Sequence, residues 1–230
     1  MEMPSSKSST SVLVRLVIGL IACLTRNRAT QAVVAIIQPA FDALLAAAET
    51  VAAADRAYVT ARAVAGAADS DLDEQVALFE GELFNHAGRS RRSGIYRKLL
   101  PQGLQAITRK RGAAQFPAVR ALEENIRREL AGIDWAQARL AKIVATREEM
   151  ERQMPLEQRA SESLAVALAA ERAAREDVRR QYRLVYAELV RLFPDNMRKA
   201  NSFFLDPRGE SRHAESETPP APAAPTVAAS

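Results

Sequence analysis

"REEMERQMPLEQRASES", residues 147–163, is a polar stretch around a proline, set between two apolar stripes. On its N-terminal side Val119, Ile126, Ile133 and Leu140 recur at strict sevens, with Leu122, Leu130 and Val144 between them, which is the seam of a coiled coil. On its C-terminal side Leu164 and Leu168, then Val178, Tyr182, Val185, Leu189 and Leu192, make a second seam. If the chain reverses near Pro155, Val119 faces Leu192, Ile126 faces Val185, Ile133 faces Val178 and Val144 faces Leu168. The spacing predicts a coiled-coil helical hairpin over residues 117–204 that closes the two seams on each other and leaves a polar tip in water. A single kinked rod would need another chain to cover both stripes.

Upstream, residues 29–65 carry Val33, Ile37, Phe41, Leu44, Ala48, Val51 and Val59 at helical spacing, with Pro39 expected to kink the helix or mark a start. Gly66 and the following "AADSD" are expected to end it, and a shorter helix to begin near Ser70, with Asp73 in a capping-box position, and run to about Asn85. Residues 86–117 hold four glycines and two prolines and read as a connector, with short helical turns near 95–100 and 104–108. Pro117 suits the first turn of a helix. Three helices of about 37 residues, roughly 55 Å each, match in length. Aromatic residues are only 5% of the 230, Gly only 9, and no segment alternates apolar and polar as a strand does. The fold class expected is all-α: an elongated antiparallel helical bundle with a coiled-coil hairpin. The expected divisions are a signal segment (1–22), N-terminal helices (23–88), a basic connector (89–116), the hairpin (117–204) and a disordered Pro/Ala-rich tail (205–230).

The single cysteine, Cys23, closes "LVIGLIAC" just before "TRNR". With one cysteine there is no internal disulfide and no multi-cysteine zinc site. The apolar stretch Val12–Leu24 is interrupted by Arg15 and is shorter than the about 20 residues a spanning helix needs. Leu20, Ile21, Ala22 and Cys23 resemble the bacterial lipobox, in which the chain is cut before the cysteine and lipid is attached to it. Lys7 and Arg15 would be the positive region and Leu16–Ala22 the apolar region. The resemblance covers residues 1–23 and implies that residues 1–22 are removed and that Cys23 anchors the protein to the cell envelope. A thiol packed in a core helix and an interfacial amphipathic helix are the other readings of the same residues.

Arg89, Arg91, Arg92, Arg97, Lys98, Arg109, Lys110 and Arg111 form a basic cluster with no acidic residue between Glu82 and Glu123. Upstream Asp69, Asp71, Asp73, Glu74, Glu80 and Glu82 form a complementary acidic block. The blocks either face each other, or the cluster binds phosphates of anionic lipid or nucleic acid. Tyr96 is the only aromatic residue in the cluster, which gives poor support to base stacking. The net charge of +4 is too mild to imply nucleic acid by itself. Glu123–Glu124 and Glu148–Glu149 are expected in solvated ion pairs, and Trp135 against a third helix or a bundle edge. His86 and His213 are the only histidines, and phosphate-loop, HExxH and EF-hand motifs are missing. The sequence is thus read as non-catalytic, with no cofactor or metal. The expected function is a lipid-anchored envelope spacer or docking protein. The alternative is a cytoplasmic coiled-coil adaptor that touches nucleic acid or anionic membrane through the connector. Expected partners are other proteins, a membrane and a second copy of the chain.

Overall fold

The computed structural model describes residues 4, 5 and 7–205, and the described residues contain helices and turns but no strand. Most of the expected tail lies outside them. The helices are α1 (Thr10–Arg26), α2 (Val34–His86), α3 (Gly94–Leu99), α4 (Gln105–Thr108), α5 (Phe116–Glu129), α6 (Asp134–Leu192) and α7 (Met197–Asn201). The fold is all-α. Its contacts cluster into two compact units, residues 53–165 and a unit built from Met1–Ala52 with Val166–Ser230.

In the unit made from both chain ends, α1 packs Leu13, Leu16, Val17, Leu20 and Leu24, all at 0% exposure, against Ile37 and Leu44 of α2 and Val178, Val185 and Leu189 of α6. Ser9 caps α1 by accepting from the Val12 amide at 3.4 Å, and the buried Thr30 hydroxyl donates to the Leu24 carbonyl at 2.8 Å, fixing the turn into α2. After α6, Phe203 is buried, and Phe204 meets Tyr182 edge-on at 5.0 Å, which docks the last turn on this core.

In the 53–165 unit, Leu72, Val76, Phe79 and Leu83 of α2 share a core with Tyr96 and Leu99 of α3 and Ile107 of α4. Val119, Leu122 and Ile126 of α5, and Ala136, Ile143 and Met150 of α6, complete it. The two long helices run antiparallel here. Arg139 is bonded to Glu82, while Tyr58 lines one surface hollow with Met154 and Pro155.

A helical hairpin is therefore present, but its arms are α2 and α6. The reversal expected at Pro155 does not occur, because α6 is continuous through that proline. Pro155 is exposed and forfeits only the bond to the Glu151 carbonyl, a loss that the surrounding turns of a 59-residue helix tolerate. The two seams are covered by α2 and the short helices instead of by each other: Val119 and Ile126 belong to one core, Val178 and Val185 to the other. The first seam, which the spacing carries unbroken from Val119 to Val144, is divided at residues 130–133, where Gly132 takes φ +79°, a left-handed turn that favours glycine. Pro117 does sit in the first turn of α5. Gly66 does not end α2, and Ser70 does not start a helix: its hydroxyl donates back to the Gly66 carbonyl at 3.0 Å. Pro39 likewise lies inside α2, which begins five residues earlier after a 3-10 turn over Gln31–Val33.

A basic connector as candidate anion-binding surface

The connector folds as the sequence suggests, into two short helices. Ser93 caps α3 through the Tyr96 amide at 3.3 Å, and α4 is a single turn. Both pack on α5, fixed by the burial of Tyr96, Leu99 and Ile107. Basic residues between these anchors are thereby forced outward.

Three of the eight cluster residues are committed to structure. Arg91 Nε donates to Glu80 at 3.1 Å and its guanidinium lies over the Phe84 ring at 5.6 Å. Glu80 is 9% exposed and also accepts the Tyr96 hydroxyl at 2.6 Å. Burial, and then that bond to a carboxylate, push the Tyr96 pKa up. Arg111 donates to Asp69 at 2.8 Å, and Asp69 also accepts the Gly112 amide at 3.3 Å. Lys98 pairs with Glu129 at 2.9 Å, and this bond, with that from Arg128, holds the Glu129 carboxyl below its usual range. The acidic block thus meets the basic one at two points, Glu80 and Asp69.

Arg89, Arg92, Arg97, Arg109 and Lys110 are all exposed, and among the described residues no carboxylate lies within ion-pair distance of any of them. Arg97 lines a groove with Leu100, Pro101, Gln102 and Gly103, and Lys110 lines a second hollow bordered by the same four residues. The 100–103 loop is accordingly flanked by a cation on each side. Tyr96, the only aromatic residue in the cluster, is buried and offers no face to a base.

Cys23, the other expected site, is a half-buried thiol on α1, packed beside the core that Leu20 and Leu24 enter. Gly19, three residues before Ala22, lies so close to Leu205 that a Cβ there would come within 2.3 Å of its Cδ1. The apolar stretch that carries the lipobox resemblance is therefore a packed face of the folded molecule.

Trp135 meets Phe79 at 6.0 Å and His86 at 5.6 Å, so its third-helix neighbour is α2. Among the described residues no group of three or more His, Cys, Asp or Glu is placed to hold a metal ion. Sequence reasoning missed one charged group. Glu123 is 3% exposed and bonded at 2.6 Å to Arg147, itself 8% exposed, where solvated pairs were expected. Val119, Leu122 and Ile126 flank Glu123 closely enough on α5 to have signalled that burial. By length and composition α2 is also apolar enough to cross a membrane, with a window of mean hydropathy 1.6 of which 28% is buried. The chain matches no protein-family model, and no curated protein or solved structure matches it.

Proposed function

We propose that this chain is a non-catalytic helical docking protein that holds an anionic membrane surface on its connector, with α1 retained as part of the fold. The observation that carries the reading is the five exposed cations, Arg89, Arg92, Arg97, Arg109 and Lys110, left without carboxylate partners among the described residues while their neighbours are neutralised. Each basic side chain near an anionic leaflet contributes about 1 kcal/mol, so five suffice for reversible, salt-sensitive attachment. Lipid headgroups fit better than nucleic acid on two grounds. α3 and α4 are six and four residues long, too short to read a groove as a recognition helix, and Tyr96, the one aromatic residue of the cluster, is buried and cannot stack on a base. The test is co-sedimentation with phosphatidylserine-containing vesicles against phosphatidylcholine vesicles at rising salt. Binding only to the former, weakened by salt and by Arg97→Glu with Lys110→Glu, is expected. Equal binding to both, or tighter binding to duplex DNA, would overturn it.

A lipid-anchored envelope protein is the second reading, resting on the placement of the sole cysteine in "LIAC". Weighing against it, cleavage before Cys23 would take Leu13, Leu16, Val17 and Leu20 out of a core they fully enter. Mass determination of the N-terminus, with fatty-acid labelling of wild type and Cys23→Ala, separates the two: labelling lost on that substitution favours the anchor.

A further inference from the structure

The link from α3 to α4 is a single β-turn, Leu100 to Gly103, closed by the Gly103 amide donating to the Leu100 carbonyl at 3.1 Å. Pro101 takes its second position and Gly103 its last at φ +77°, so the turn is held in one shape. Behind it, within residues 53–165, lies a cavity of about 150 Å³. Leu99, Ile107 and Leu122, exposed by only 2%, 6% and 2%, line its depth. Opposite the turn, one face of α5 contributes Ala118, Ala121, Leu122 and Asn125 at threes and fours. Ala106 of α4 lines it too, so three small side chains on two helices leave space that larger ones would fill.

The polar lining is of one kind. It consists of Gln102, Lys110 and Asn125, with no carboxylate among the lining residues. Asn125 Oδ1 already accepts from Arg128 at 2.8 Å, which leaves the N–H donors of that amide. Among the described residues neither those donors nor the Lys110 ammonium has a partner. An apolar space thus opens beside a cation and an amide donor that lack an acceptor.

We infer that this cavity binds a small monocarboxylate with an apolar body the size of a benzene ring, the body inside and the carboxylate on Lys110 and Asn125. An apolar cavity of about 150 Å³ takes a molecule of that size. Burial of the ring supplies affinity, while charge-assisted bonds to the carboxylate set orientation and select for the anion. Inorganic phosphate would leave the apolar walls uncovered, and a neutral ring would leave the ammonium unmatched. The long chain of a membrane lipid exceeds the space. Lys110 also belongs to the surface proposed to meet a membrane, but the cavity does not rest on that reading, since its ligand is free in solution.

The test is titration of full-length protein with benzoate, without vesicles, followed by amide NMR shifts, with benzyl alcohol as the neutral control. Saturable benzoate binding is expected at about 1 mM or tighter, within reach of a ligand this small. Benzyl alcohol should bind at least about fivefold more weakly. Lys110→Met should remove that preference while leaving the alcohol's affinity unchanged. Ala118→Leu should fill the cavity and abolish binding of both, with the urea midpoint equal or higher; Ala121→Leu serves as the filling variant if circular dichroism shows that Ala118→Leu has lost helix. Equal affinity for benzoate and benzyl alcohol, indifference to Lys110→Met, benzoate binding that survives a folded filling variant, or attachment to vesicles with no benzoate binding would each overturn the inference. Arg97→Glu should weaken vesicle attachment and leave benzoate binding as it is, which separates failure of this site from failure of the membrane reading.

Discussion

Glu123 and Glu124 are adjacent on α5, yet only Glu124 stays in water. Glu123 is held by Arg147, and Arg147 in turn by Glu151 at 2.9 Å, while Arg127 and Arg120 attach from outside at 3.6 and 2.7 Å. Removing one partner of a buried pair leaves an uncompensated charge. Glu123→Ala is therefore expected to cost about 3 kcal/mol in urea unfolding, whereas Glu124→Ala should be near neutral. Burial pushes the Glu151 carboxyl up, but the hydrogen bonds from Arg120 and Arg147 outweigh it and hold the pKa below its usual value. A depressed carboxylate stabilises above its unfolded pKa and loses that contribution as pH falls through the folded one. Melting temperature should accordingly fall below about pH 4.5, and Glu151→Gln should flatten that fall. Asp73 behaves oppositely: burial raises it, despite the bond from Gln115 Nε2 at 2.5 Å, while Gln115 Oε1 is buried without a partner among the described residues. Its ionised form weighs against the fold at neutral pH, so Asp73→Asn, which brings a donor toward that oxygen, should raise stability by about 1 kcal/mol, read from the same urea curves. Composition carries none of this; for Glu123 the signal lay in its apolar neighbours Val119, Leu122 and Ile126 on α5, whereas Arg120 and Gln115, the partners of Glu151 and Asp73, lie far along the chain and are brought in only by the fold.

At the scale of elements, the sequence carried the periodicities faithfully and misjudged their punctuation. Pro155 and Gly66 each look like a stop, and each lies inside a long helix. The signal that outranks them is phase: Ala65, Ala68 and Leu72 keep the same three-and-four spacing across Gly66, so burial of the stripe continues and outweighs the local cost of one glycine. The mirror symmetry about Pro155 is real, but it is satisfied by α2 on one flank with α1 and on the other with α3 to α5. Gly132, in contrast, breaks a seam that looked unbroken, because a left-handed residue cannot be told from a helical one by periodicity. For α1, full burial of Leu16 gives a direct measure of whether the segment is structural. Leu16→Ala should destabilise by about 3 kcal/mol and speed amide exchange through α1, and an unchanged exchange pattern would show α1 undocked in solution.

Over the whole molecule, two cores are built on two shared helices, which the sequence divided into consecutive domains because it offers no sign that residues 12–24 and 178–203 belong together. Their pairing rests on shape and on bonds such as Thr10 to Glu171 at 2.5 Å, which no spacing rule anticipates. Each core has its own probes. Leu122→Ala should accelerate exchange in α3 and α5 and shift Trp135 fluorescence, whereas Val185→Ala should act first on α1 and α7, where no tryptophan lies.

The division of the chain also sets an order of events at the ribosome. Residues 53–165 form a contiguous unit and have all their partners once α6 is half made, but the first helix must wait until the last one has left the exit tunnel. During that interval, at 5–20 residues per second a matter of several seconds, the nascent chain carries α1 with its apolar face unshielded, which is the form that chaperones would meet first.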